Sequence, residues 1–210
     1  MARYTGASCR QCRAEGQKLF LKSSRCYTGK CAVLRRSGLP GKNGQNRKKT
    51  SEYGLQLRAK QATRRYYGVL EKQFKHYYEL AEKIKEGKAG ENLLAILELR
   101  LDNVIYRIGW GGSRAQSRQL LLHGNFKVNG KKVNIPSYLT QAGDVISITE
   151  KSRNLESFKS IIEINRSRTY PKWLEFIDNE NFEARIIQIP RREDIDLEVE
   201  ETLIIELYSK

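Results

Sequence analysis

The chain has 210 residues and a formal net charge of +15, from 39 Lys/Arg against 24 Asp/Glu. That length holds one or two domains with a real core, and so positive a balance implies a polyanionic partner. No apolar run is long enough for a signal peptide or a membrane span, so a cytosolic protein without a membrane partner is expected. The charge is uneven: residues 1–90 hold 22 Lys/Arg against 6 Asp/Glu, residues 91–150 hold 7 against 5, and residues 151–210 hold 10 against 13. Anionic lipid is the alternative polyanion, but no basic amphipathic helix with a bulky apolar face stands alone.

All four cysteines, Cys9, Cys12, Cys26 and Cys31, lie in the first 31 residues with the spacing C-x2-C-x13-C-x4-C. Two close pairs flanking a loop are what a tetrahedral metal needs, and four thiolates leave no open position, so the site is structural. A reducing cytosol argues against two disulfides, and the absence of cysteine elsewhere argues against unrelated thiols. Arg10, Arg13, Arg25 and Lys30 lie beside the ligands and offset the thiolate charge. Zinc is the expected ion, and an iron–sulfur cluster on the same four cysteines stays open.

From Arg35 to Thr50 the sequence RRSGLPGKNGQNRKKT is a Gly- and Pro-punctuated basic loop. Ser51 caps a helix running to about Tyr66, with Leu55, Ala59, Ala62 and Tyr66 as the inner stripe and Arg58, Lys60, Arg64 and Arg65 around the remainder. Gly68 breaks it. Phe74, Tyr77, Tyr78, Ala81 and Ile84 mark a second helix. Tyr66, Tyr67, Tyr77 and Tyr78 fall on the apolar stripes, so core packing is expected before base stacking. Gly87 to Gly90 reads as a loop.

The central stretch, Leu99 to Ile148, opens on Leu101, Val104, Ile105 and Ile108 at helical spacing, with a stop at Gly109. Asp102 is expected to pair with a local basic group. Ser113 and Gln116 form a capping box for a short helix that ends at Gly124. Asn129-Gly130 signals a hairpin over Phe126–Val133, and Val145 to Ile148 adds a strand. The product is a helix-turn-helix on a β-hairpin, with Arg114 and Arg118 on a helix face and Lys127, Lys131 and Lys132 on the hairpin. Leu155, Phe158 and Ile162 suggest a further helix, and Trp173 to Ile189 reads as strands broken at Asp178–Asn181. Seven acidic residues and no basic one then fall between Glu193 and Glu206. Whether the closing Leu203–Tyr208 is helix or strand stays open.

The segment SRAQSRQLLLHGNFKVNGKKV resembles the RNA-binding module named after small-subunit ribosomal protein S-four. The resemblance extends along the chain through ARY, the four cysteines, PGKNG, YGLQLRAKQATRRYYGVLEKQF, GENLL, RLDNVIYRIG, EKSRNLE and ELYSK. It identifies the chain as a member of the bacterial-type S-four family of the small ribosomal subunit, in its four-cysteine form. Lys42-Asn43 departs from the Gln-His many members carry. Arg100-Leu101-Asp102 also resembles a local sequence around the catalytic Asp of pseudouridine synthases. Here, however, only about sixty residues follow the module, short for their β domain. No enzyme and no small-molecule substrate is expected. An RNA-modifying factor and a DNA-binding metal ribbon are the alternatives.

The expected fold is α+β. It comprises a metal knuckle over 1–40, a basic loop and helical domain over 41–90, and a small α/β domain with mainly antiparallel strands over 91–192. That domain contains the RNA module at about 99–150, and an acidic segment over 193–210 packs back on the body. The resemblance implies a primary binder of 16S rRNA that docks on a multi-helix junction in the 5′ domain. The residues assigned to rRNA are Arg3, Arg10, Arg13, Lys22, Arg35 and Arg36; Arg58, Lys60, Arg64, Arg65 and Lys72; and Arg114, Arg118, His123, Lys127 and Lys131. It places Arg47, Lys48 and Lys49 where mRNA enters the subunit. The resemblance also implies that Glu198, Glu200 and Glu201 face ribosomal protein S-five, an interface through which the family bears on translational accuracy.

Overall fold

The computed structural model describes residues 2–36, 38–41, 49–165, 169–178 and 182–209, with Ser157 and Asp178 described by backbone alone. Among these, the helices are α1 (Ser8–Glu15), α2 (Ala32–Arg35), α3 (Glu52–Tyr67), α4 (Glu71–Lys83), α5 (Ala89–Glu98), α6 (Leu101–Ile108), α7 (Arg114–Leu122), α8 (Glu150–Arg153), α9 (Glu156–Asn165) and α10 (Glu201–Tyr208). The strands are β1 (Phe126–Val128), β2 (Lys131–Lys132), β3 (Val145–Ile148), β4 (Leu174–Asp178) and β5 (Glu183–Ile186). The chain separates into two compact units: unit 1 is Met1–Leu93 with Leu197–Lys210, and unit 2 is Leu94–Asp196.

In unit 1, Ser51 caps α3 by accepting a hydrogen bond from the Gly54 N–H at 3.2 Å, as its position before the helix predicts. The expected inner stripe is corrected. Leu55 is 51 % exposed, while Gln56, Lys60, Thr63 and Tyr67 are buried with Ala62 and Tyr66. The reason is that this face meets polar partners. Gln56 Nε2 donates to Glu206 Oε2 at 3.0 Å, and Lys60 Nζ meets Glu71 Oε1 at 2.7 Å. On α4, Phe74, Tyr77, Tyr78 and Ala81 are buried but Ile84 is not. All four tyrosines singled out above lie in this core, where no base can reach their faces.

The open question of the last segment resolves to helix. Ile204 of α10 is fully buried, the Tyr208 ring stacks on Tyr78 at 4.7 Å, and its hydroxyl donates to Glu71 Oε1 at 2.9 Å. Gly87–Gly90, expected as a loop, partly belongs to α5, which begins at Ala89. Gly90 is needed there: a Cβ on it would lie 2.5 Å from Cβ of Glu201.

Unit 2 packs α6 and α7 with one antiparallel sheet of order β2-β1-β3-β5-β4. The register pairs Phe126 with Ile148, Val128 with Ile146, Ile146 with Ala184 and Leu174 with Ile186. Because side chains alternate along a strand, these apolar residues share one face. They close on Leu101, Val104, Ile105, Ile108, Trp110 and Leu121. Asn129 and Gly130 both take positive φ, 48° and 77°, the backbone of the expected two-residue hairpin. Ser113 accepts from Gln116 N as predicted. The Gln116 side chain, however, accepts from Gly112 N rather than from Ser113 N, so only half of the capping box forms. Phe158 anchors α9 in the core, whereas Leu155 is exposed.

Partial burial pulls the Glu71 carboxyl upward, but hydrogen bonds from Lys60 and Tyr208 and the charges of Lys60 and Arg64 outweigh it. They hold the group below its ordinary value of 4.5. A carboxylate held low adds stability that is complete above the ordinary value and is lost as pH falls through the lower folded value. The stability difference between the native chain and Glu71→Gln in urea denaturation is therefore expected to be constant above pH 4.5 and to shrink below it. A difference independent of pH would contradict this.

Candidate nucleic-acid interface

Among the described residues of the first forty, regular structure is limited to α1, α2 and a 3-10 turn at Ser24–Tyr27, held by turns and side chains. They surround a cleft of about 520 Å³ lined by Arg10, Arg13, Lys22, Arg25, Lys30, Arg35 and Arg36 beside Ala7, Cys9, Ala32, Pro40 and Gly41. Among the described residues, seven cations line it and no carboxylate does. Arg13 is the fastener: its Nε and Nη2 donate to the Gly38 carbonyl at 3.0 and 2.9 Å. Arg25 Nε reaches the Lys30 carbonyl at 3.4 Å. The other five are exposed, with charge left for a ligand. Concave ground lined by one sign of charge concentrates counter-ions.

Behind the cleft, Cys9, Cys12, Cys26 and Cys31 line one cavity of about 10 Å³ with Leu21 and Val33, at the lower limit for a single water. Cys26 Sγ accepts from the Lys22 N–H at 3.3 Å. Burial pushes the Cys12 and Cys26 thiols up, and the neighbouring cysteines push the same way, against backbone N–H groups of Leu19 and Lys22 that favour the thiolate. The spacing thus does bring the four cysteines together. Among the described residues, however, no group of three or more Cys, His, Asp or Glu stands where it would hold a metal ion. The closed tetrahedral knuckle expected above is accordingly not shown.

The cations of α3 are mostly engaged inside unit 1. The Glu15 carboxylate, 1 % exposed, takes Arg58 at 3.3 Å and a closer approach from Arg65. Arg64 holds Gln61 Oε1 at 2.7 Å and lies 3.6 Å from Glu71, and Lys60 is buried on Glu71. Arg3, Lys49 and Lys72 are exposed. Arg47 and Lys48 lie outside the described residues.

In unit 2 the exposure expected for Arg114 and Arg118 is corrected: each is 8 % exposed. The reason is Asp102, on the facing helix. Arg100 grips it with Nε at 3.0 Å and Nη2 at 2.6 Å, and Arg118 Nη1 adds an ion pair at 3.2 Å. Arg114 Nε donates to Asn103 Oδ1 at 2.7 Å, and its guanidinium lies 4.5 Å from the Tyr106 ring centroid, a cation–π geometry. The local basic partner expected for Asp102 is therefore present twice. His123 and Lys131 are exposed, and the half-buried Lys127 faces Glu150 at 3.8 Å. At the acidic end, Glu198 and Glu200 are exposed and Glu201 is half-buried.

The structure therefore gathers Arg10, Arg13, Lys22, Arg35 and Arg36 into one site. Arg25 and Lys30, read above only as charges beside cysteines, line the same cleft. The available signal was their place among the cysteines, Arg25 in the loop between the pairs and Lys30 inside the second pair: where the pairs meet, both are drawn to one rim.

Removing Asp102 takes a shared carboxylate from two buried guanidiniums, those of Arg100 and Arg118. Asp102→Ala is expected to destabilise unit 2 by about 3–5 kcal/mol. Both tryptophans of the chain, Trp110 and Trp173, are buried in unit 2, so tryptophan fluorescence in urea reads that loss directly. A shift under about 1 kcal/mol, the ordinary surface range, would show that the cluster contributes little.

Comparison with known proteins adds two family models and a set of full-length relatives. Residues 3–98 match the model described as "Ribosomal protein S4/S9 N-terminal domain", and residues 99–146 match the one described as "S4 domain". The chain is 60 % identical over 210 residues to "Small ribosomal subunit protein uS4" of Ruminiclostridium cellulolyticum and to that of Clostridioides difficile. It is 61 % identical to that of Clostridium tetani, and all three alignments cover the whole of both chains.

Proposed function

Because the chain belongs to the uS4 family of small ribosomal subunit proteins, a structural and non-enzymatic family, we propose that its task in the cytoplasmic small subunit is to grip ribosomal RNA by the phosphate backbone. The observation that carries this reading is the cleft whose described lining holds seven cations and no carboxylate. Double-stranded RNA hides its major-groove base edges in a deep, narrow groove and is recognised mostly by shape, 2′-hydroxyls and phosphates. A concave array of guanidinium and ammonium groups suits that task, and each phosphate it neutralises releases counter-ions. The exposed His123 and Lys131 of the S4-type module, with Lys127 beside them, supply a second grip. Arg100, Arg114 and Arg118 keep that module in shape from within, and their charge reaches RNA only as part of its field.

The finer reading follows the family resemblance. The RNA is a multi-helix junction in the 5′ domain of 16S rRNA, where two units each holding a backbone brace several helices. Lys49, with Arg47 and Lys48 in sequence, borders incoming mRNA. The exposed Glu198 and Glu200 suit a basic protein surface, that of ribosomal protein S-five, and bear through it on accuracy. The chemistry of the donor set at Cys9, Cys12, Cys26 and Cys31 suits zinc: four sulfurs line one small cavity, and the neighbouring cations offset a tetrathiolate's charge. Zinc bound there would cross-link the two cysteine pairs and so fix the shape of the cleft.

Two measurements test this. Arg35→Ala with Arg36→Ala is expected to reduce the log–log salt slope of binding to small-subunit rRNA by about one unit for each phosphate that is no longer neutralised. An unchanged slope would make the cleft mere solvated surface. Chelation is expected to expose the first forty residues to protease while leaving the tryptophan spectrum of unit 2 unchanged, since metal binding and folding are coupled. Equal protection with and without chelator would overturn the zinc assignment.

A further inference from the structure

Unit 1 is made from two stretches of chain, and all of unit 2 is synthesised between them. The later stretch is not a decoration. It supplies the fully buried Ile204, the buried Leu197, the Tyr208 ring stacked on Tyr78 and Phe74, and the Glu206 carboxylate that meets Gln56. Gln56 is itself only 1 % exposed, so without α10 a polar group built for burial loses a partner. Gly90 marks how closely α10 comes, since no side chain fits between it and Glu201. An eight-residue helix does not persist alone in water, so α10 and the face it covers complete each other.

Unit 2 prepares this step. Arg107 binds Glu98 at the end of α5 at 2.7 Å and also binds Asp196, the last residue of unit 2. Once unit 2 folds, one guanidinium holds together the two places near which its chain begins and ends. The entropy of closing that long loop, which grows with the logarithm of its length, is then already met by unit 2 folding.

We propose that residues 197–208 are a clasp that makes RNA binding by unit 1 conditional on unit 2 having been synthesised and folded. The proposal rests on the reading of unit 1 as an RNA-gripping body. Chains fold from the N-terminus as they emerge, yet here the N-terminal unit waits for its last helix. A growing chain therefore presents basic residues before it presents a finished RNA site.

The test uses the full chain with Ile204→Asp, and with Tyr208→Phe, which keeps the ring and removes its hydrogen bond. Hydrogen exchange and binding to small-subunit rRNA are read on each. For Ile204→Asp, α3 and α4 amides should exchange at least about tenfold faster while β3 and β5 amides stay protected, and RNA affinity should fall by at least about tenfold. Tyr208→Phe should move both readouts in the same direction by less. Native protection of α3 and α4 in Ile204→Asp overturns the clasp, as does weakened protection with unchanged affinity. Should the native chain itself fail to bind, the RNA reading falls and the conditional step with it. The exchange data then still decide whether α10 closes unit 1.

Discussion

Three carboxylates of this protein are each shared by two cations. Glu15 takes Arg58 and Arg65, Glu71 takes Lys60 and Arg64, and Asp102 takes Arg100 and Arg118. A chain with 39 basic and 24 acidic residues cannot pair its charges one to one. A buried carboxylate in such a chain can hold two elements at once, because two cations approach it from different directions. Each triad joins parts that local sequence would not bring together: α1 to α3, α3 to α4, and α7 to the start of α6. At Asp102 the cost of desolvating the ions is substantial, and it is offset by geometry, the two-pronged grip of Arg100.

Scarcity of acid also explains the cleft. Residues 1–90 contain six carboxylates, and two of them, Glu15 and Glu71, are engaged within the body of unit 1. None reaches the rim formed by Arg10, Lys22, Lys30, Arg35 and Arg36. The positive field there is therefore a product of how the few acids are placed as much as of how many bases there are. Buried pairing around Glu15 keeps α1 in position, and α1 in turn carries Cys9, Arg10 and Arg13 to the cleft.

Local signals were legible in the sequence where one turn of chain decides the outcome. Ser51 and Ser113 cap their helices, Asn129-Gly130 turns its hairpin, and Leu101, Val104, Ile105 and Ile108 form a buried stripe. What could not be read was polar burial. The inner face of α3 carries Gln56, Lys60 and Thr63, residues that hydrophobic periodicity assigns to solvent, because the partners Glu71 and Glu206 come from elsewhere in the chain. The same blindness put Arg114 and Arg118 outside. The cleft was half visible: its residues were named singly for their charge, but their convergence depends on how residues 9–36 fold back. Family likeness supplied the ribosomal assignment, which charge and spacing alone leave among several RNA- and DNA-binding classes.

The two edges of the sheet bear on how a free copy of this protein behaves. An exposed strand edge is a template on which another chain can add. At one edge, β2 is only two residues long, and both are exposed lysines. At the other, the pairing of β4 with β5 shifts register between Phe176 and Asp178, and such an irregularity bends a strand away from flat alignment. Neither rim offers a long, flat, apolar ladder. Free copies of the chain are thereby guarded against the association their own backbone would otherwise invite, the growth of an intermolecular sheet.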